Sequence, residues 1–348
     1  MKPNFLSAHG IQLGHQIMTI WRKVCAVAAI LLVVAPYSAN SFAALKFDLA
    51  RPIYDDNKSA HGVSNVGHLL SDAASRGQQV VLYLHGRGDE PEKSFNSAMT
   101  GGGAVARLRS EYKVRVILVN WNSKSKGKDR SAPLSHVAEG AATLDGVLTQ
   151  LIEYQELNPS AQRPAFLVHS MGSIVLATYV KTYGWPTSEG RPLFSNVLLS
   201  EPDVDSQGHA EWLSKVASRE RAYVTQNTRD SVLKASTDSR SPMSNFALGL
   251  EPIRPFASGA FYVDLTDALK VKRILILRIG AHQIFSKSWM GGNANTCIFV
   301  TKSLQGEKFE PDEVEGIVRT SSGRYRASEN LDKKHTCFKN AVSGGDKE

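Results

Sequence analysis

The chain has 348 residues, 42% of them hydrophobic and 21% charged, with a formal net charge of +8. That apolar fraction is enough to bury a large core in one domain, and no internal repeat or long low-complexity tract interrupts it. The positive balance is mild and comes without a helix-turn-helix pattern, a zinc-ligand set or a basic platform interleaved with aromatics, so nucleic-acid binding is not expected.

At the amino terminus Arg22 and Lys23 precede an apolar stretch over residues 24–36, and Ser41-Phe42-Ala43 puts small residues at both positions a signal peptidase reads. This predicts a signal peptide over residues 1–43 and a periplasmic or secreted protein. The apolar stretch falls short of the ~20 residues a spanning helix needs, which leaves an uncleaved membrane anchor as the alternative. Met18 is a second candidate start. Cleavage after Ala43 removes Lys2, Arg22 and Lys23 and no acid, so the net charge falls from +8 to +5.

Residues 79–84 (QVVLYL) read as a buried strand running into His85-Gly86-Arg87-Gly88-Asp89, a glycine-rich turn ahead of a helix over residues 91–109. Glycine suits such a turn wherever φ is positive. The run from Lys124 to Arg130 is the densest basic cluster and reads as a solvated loop. Residues 164–168 form another short apolar strand, and apolar residues recur at helical spacing over residues 174–183, up to Gly184. Almost nothing is left for a loop between them. Ser170 therefore falls at the apex of a sharp turn with its hydroxyl above the sheet, a candidate nucleophile; a serine there is otherwise a helix cap. Gly172 has no Cβ, so helix and strand backbones can approach closely, and the N–H groups of the helix start face any negative charge formed near that hydroxyl.

Residues 195–200 and 221–226 read as two further strands. The first leads into Glu201-Pro202-Asp203-Val204-Asp205 and the second into Asn227-Thr228-Arg229-Asp230, so several carboxylates lie just beyond strand ends. Asp203 or Asp205 serves equally as the cap of a helix beginning near Ser206. Residues 234–259, rich in Ser, Pro and Gly, read as a surface excursion or a lid over the site. The next strong strand is residues 271–279 (VKRILILRI), followed at once by His282.

A serine hydroxyl is a weak nucleophile until an imidazole takes its proton, and the imidazole needs a carboxylate to fix its tautomer. Ser170, His282 and Asp230 supply these types, with Asp203 as the alternative acid. His169 leaves its strand on the face opposite Ser170, and His85 suits a structural place in the glycine loop. Loss of Cys25 with the signal leaves Cys297 and Cys337, expected to pair and to pin the carboxyl-terminal segment, with two buried thiols as the alternative. Alternating strands and helices predict an α/β architecture: a mostly parallel central sheet with helices on both faces, one domain over residues 44–348, of which 286–348 form a C-terminal extension.

These features resemble the α/β-hydrolase superfamily. Val168-His169-Ser170-Met171-Gly172 is similar to its G-x-S-x-G nucleophile elbow, with Val168 where the first glycine usually stands. His85-Gly86-Arg87-Gly88 looks like its HG-x-G loop, and the order Ser170, Asp230, His282 is the superfamily's. The resemblance implies an oxyanion hole made by the backbone N–H groups of Arg87 and Met171, such donors being worth ~3 kcal/mol each. A narrower group of bacterial α/β-hydrolase proteins of largely unassigned substrate has a similar run, matched here by Val119-Asn120-Trp121, V-H-S-M-G, Pro202-Asp203-Val204-Asp205, the segment from Asn227 to Leu233, and His282 with Phe285. The likeness covers about residues 80–285. It implies an exported, esterase-like or lipase-like serine hydrolase acting on a small-molecule or lipid ester through an acyl-enzyme, with no cofactor and no metal. Acyl transfer to another alcohol or amine uses the same residues, and a non-catalytic binding protein on the same fold is the remaining alternative. The sequence permits membrane contact without indicating it, and oligomeric state and acyl chain length are not legible.

Overall fold

The computed structural model describes residues 51–328 apart from 89–90, 96–102, 126–129, 187–189, 240–245, 270–271, 275–276, 280–281 and 286–292. The expected signal peptide over residues 1–43, Met18, Cys25 and Cys337 lie outside the described residues.

The strands are β1 (Ile53–Tyr54), β2 (Ala60–His61), β3 (Val80–Leu84), β4 (Arg115–Val119), β5 (Ala165–His169), β6 (Val197–Ser200), β7 (Ala222–Gln226), β8 (Phe261–Asp264), β9 (Lys272–Ile274), β10 (Leu277–Ile279), β11 (Ile317–Arg319) and β12 (Tyr325–Ala327). Ten of them form one sheet in the order β11-β12-β8-β7-β6-β5-β3-β4-β1-β2. From β4 to β12 every neighbour is parallel, and antiparallel pairing is confined to the two ends. The expected mostly parallel sheet is thus present. Parallel strands need both faces covered, which is why β3, β4 and β5 read as nearly unbroken apolar runs and are buried along their whole length.

The helices are α1 (Val66–Ser75), α2 (Pro91–Phe95), α3 (Ala104–Tyr112), α4 (Ser131–Leu134), α5 (Val137–Leu157), α6 (Gly172–Tyr183), α7 (His209–Ala217), α8 (Ser231–Asp238) and α9 (Ala294–Leu304). Side chains alternate across each strand, so the sheet feeds two cores. Leu82, Leu84, Phe166 and Val168 pack with α1, α5, α6 and α7, while Val81, Tyr83, Leu167 and Tyr223 pack with α3 and α9.

Two expectations change. The helix expected over residues 91–109 is divided, with Gly103 between α2 and α3; a Cβ there would fall 1.9 Å from the carbonyl oxygen of Ser94, so the two helices meet at a point only glycine fits. The strand expected over residues 271–279 is instead a separate antiparallel pair, β9 with β10, and the sheet position beside β7 belongs to the shorter β8. In the described part of the expected C-terminal extension, β12 extends the sheet beside β8, and Phe299, Val300, Leu304 and Phe309 are buried in the second core.

Candidate active site

Ser170 follows β5 directly and precedes α6 by one residue. Its φ of 51° lies in the left-handed region, where a residue with a Cβ is strained, and its backbone is pinned to hold it there. The carbonyl oxygen accepts from Ser173 N (3.0 Å), Ser173 Oγ (2.6 Å) and Asp203 N (3.1 Å), while the N–H donates to Ser200 O (3.0 Å). Gly172 makes the turn feasible, because a Cβ there would stand 2.7 Å from Leu84 O and 2.8 Å from His85 O. The helix start and the end of β3 touch backbone to backbone.

The structure brings Ser170, His282 and Asp230 together. His282 Nδ1 donates to Asp230 Oδ2 at 2.7 Å, and Nε2 lies 3.1 Å from Ser170 Oγ, where the neutral imidazole accepts from the hydroxyl. Asp230 is fully buried just beyond β7, and its other oxygen caps α8 by accepting from Val232 N (2.8 Å) and Leu233 N (3.0 Å). The Asn227 carbonyl, which accepts from Asp230 N at 3.0 Å, shapes the turn that aims it.

No strand of the main sheet ends at His282, so its position depends on tethers. His169 Nε2 donates to the His282 carbonyl (2.9 Å), Arg107 reaches Gln283 Oε1 (2.5 Å), Tyr112 Oη donates to the Phe285 carbonyl (2.8 Å), and Ile284 N donates to Glu201 Oε1 (3.0 Å). His169 therefore supports the loop rather than Ser170. Glu201 was not singled out from sequence. It is fully buried, has a φ of 42°, and its second oxygen accepts from Ser200 Oγ at 2.6 Å. The only sequence signal for it was an acidic side chain directly after a strand at the edge that carries Ser170.

These buried charges set the protonation of the site. Burial alone lowers the pKa of His282, but the Asp230 carboxylate, through its charge and hydrogen bond, and the charges of Glu201 and Asp203 outweigh it and raise the value to about 9. Burial pushes Glu201 up to about 7, against the opposing pull of His169 and His282.

Asp203, the alternative acid, does not reach His282. Its carboxylate accepts from Ser236 Oγ (2.5 Å) and pairs with Arg130 (3.4 Å), because its own backbone is fixed against the Ser170 carbonyl. Neither Asp203 nor Asp205 caps the next helix: α7 starts at His209 behind Gly208, and Asp205 is exposed. Arg130 corrects the solvated-loop reading at its end of the basic run, since only 11% of its side chain is exposed. Within the Ser/Pro/Gly-rich stretch, Leu248 N and Gly249 N donate to Val204 O and Pro202 O (both 2.8 Å), so this part lies along residues 202–206.

The glycine loop sits beside the hydroxyl. A Cβ on Gly86 would come within 2.9 Å of Ser170 Cβ. His85 is fully buried and holds the loop to the end of β4: its ring stacks on Trp121, and Trp121 Nε1 donates to its carbonyl at 2.8 Å. Among the described residues no cluster of three or more His, Cys, Asp and Glu side chains is placed to hold a metal ion.

A parallel sheet in this order, with a serine on a strained strand-to-helix turn and a histidine and an aspartate brought to it from later loops, defines an α/β hydrolase. The family model described as alpha/beta hydrolase of unknown function (DUF900) matches residues 64–250, more than half of the chain. The chain belongs to that family. No curated protein and no solved structure matches it.

Proposed function

We propose that the protein is a serine hydrolase that cleaves a carboxylic ester or a related acyl bond through an acyl-enzyme. The observation that carries this reading is the continuous hydrogen-bonded line from Asp230 Oδ2 through His282 to Ser170 Oγ. Ser170 Oγ attacks the acyl carbon while His282 Nε2 takes its proton, and a tetrahedral oxyanion forms. The backbone N–H groups of Arg87 and Met171 receive that oxyanion, a role consistent with the glycine loop lying against Ser170. His282 then returns the proton to the departing alcohol. Water attacks the acyl-enzyme with His282 as base, and Ser170 is restored. Asp230 holds the Nδ1–H tautomer and stabilises the imidazolium formed in each step.

Ser170→Ala removes the nucleophile and leaves the fold intact. Turnover of p-nitrophenyl acetate should fall on the order of 10⁵-fold or more. Retained turnover in that variant contradicts the proposal. A protein that is well folded yet inert toward every acyl donor would favour the binding-protein alternative. Acyl transfer differs only in the second nucleophile, and product analysis with a competing alcohol separates it from hydrolysis.

We further propose export through the amino-terminal signal, with cleavage after Ala43, and a bridge between Cys297 and Cys337. The exported protein should begin at Ala44 by amino-terminal sequencing. Its mass after alkylation should rise only once a reductant has been applied.

A further inference from the structure

At the edge of the sheet opposite Ser170, the amino-terminal ends of β5, β6 and β7 open onto a cavity of about 560 Å³. The strands are parallel and five or fewer residues long, so this cavity lies on the order of 15 Å or more from the hydroxyl. Its volume falls in the range of small-molecule sites. Arg163 just ahead of β5, Arg221 just ahead of β7, Arg219 and Lys308 line it, and Gln162 and Ser195 add neutral polar groups. Among the described residues no acidic side chain lines it.

The alternation of the chain explains this concentration of one sign. Arg219 and Arg221 face the cavity, while Glu220 between them turns into the protein. Glu220 feels the charge of Arg163, but its oxygens accept from Leu193 N (2.9 Å), Phe194 N (3.1 Å) and Trp185 Nε1 (3.3 Å) behind the cavity wall. Among the described residues none of the four cations is in an ion pair, and Arg221 gives one N–H to the Phe309 carbonyl at 3.0 Å. Four like charges around a concave space repel one another, and an anion bound between them relieves that repulsion.

We propose that this cavity is a second binding site, for a phosphate-bearing anion. Three guanidinium groups present planar forks of N–H donors, which match the several oxygens and the charge of −2 or more of a phosphate or diphosphate better than a single carboxylate. The same chemistry is carried by a free phosphorylated small molecule and by a lipid headgroup, and the concave shape suits either.

Calorimetric titration of the full chain with inorganic pyrophosphate at low ionic strength tests this, together with flotation on vesicles of phosphatidylglycerol in phosphatidylcholine. Saturable binding of at least one of the two is expected, weakened threefold or more in Arg163→Gln and in the double variant Arg219→Gln/Lys308→Gln. Arg219 and Lys308 are exposed, so the double variant reads out even where Arg163→Gln perturbs folding. Pyrophosphate binding lost in the variants assigns a free anion as ligand, and vesicle binding lost without pyrophosphate binding assigns a headgroup. Absence of both in the unaltered protein, or binding that the double variant changes by less than threefold, overturns the proposal.

Discussion

Asp230 uses its two carboxylate oxygens differently, one on the start of α8 and one on His282 Nδ1, so a single substitution can separate the two tasks. Asp230→Asn keeps an oxygen for the cap but presents an N–H to His282 when that oxygen faces the helix. The imidazole is then driven to the wrong tautomer, and kcat should fall about 10⁴-fold with little loss of stability. Comparing kcat with the denaturant midpoint checks both halves. The raised pKa of His282 has a direct consequence for rate, because only the neutral imidazole accepts the serine proton. The ascending limb of kcat/KM against pH should lie above 6.5, the ordinary imidazole value, and activity should rise as the pH passes through it. Glu201 contributes negative charge to that shift. Glu201→Gln keeps an acceptor for Ile284 N but removes the charge, so the ascending limb should move to lower pH; an unmoved limb would deny Glu201 any electrostatic hold on His282. Glu201→Leu leaves Ile284 N without its acceptor and should lower kcat at every pH, since the loop bearing His282 loses a tether.

The turn between β5 and α6 was legible in the sequence because both elements have unmistakable periods and no residues remain between them. Gly172 is what lets them meet, and Gly172→Ala should cost about 1–3 kcal/mol, read from a lowered denaturant midpoint, because backbone lies within 3 Å of the added carbon on two sides. Asp230 was legible for the same reason, a carboxylate placed directly after a strand. The element carrying His282 was not. Residues 271–279 are the more apolar stretch, but a place in a sheet is won by pairing with the neighbour, and β8 pairs residue for residue with β7 from Tyr223 to Gln226. His282 is signalled by its nearness to a strand of a different sheet, while its true supports, His169, Glu201, Arg107 and Tyr112, are scattered between positions 107 and 201 of the chain and have no local signature. Asp203 illustrates the same limit: like Asp230 it lies just beyond a strand end, and its engagement with Ser236 and Arg130 rather than with His282 is set by distant chain.

Across the whole molecule, the family match ends at residue 250, yet His282 and the strands that close the sheet come later. β12 covers the edge of β8, and α9 buries Phe299, Val300 and Leu304 against the face of the sheet that also holds Tyr83 and Tyr223. Ending the chain at residue 293 would expose that edge and a large apolar face together, so the truncated protein should be recovered in aggregates rather than as a soluble fold. Soluble, cooperatively unfolding material from that truncation would show the carboxyl-terminal segment to be dispensable. The same arrangement separates the two sites by the length of a strand. The proposed ester chemistry lies at the carboxyl ends of β5 and β7 and the proposed anion site at their amino ends, so substitutions at Arg219 and Lys308 should leave ester turnover unchanged. Reaction of the full chain with a fluorophosphonate probe, followed by peptide mapping, tests the central claim most directly: the account predicts a single adduct on Ser170 that Asp230→Asn slows and Ser170→Ala abolishes, and an adduct elsewhere, or none on a folded protein, would contradict it.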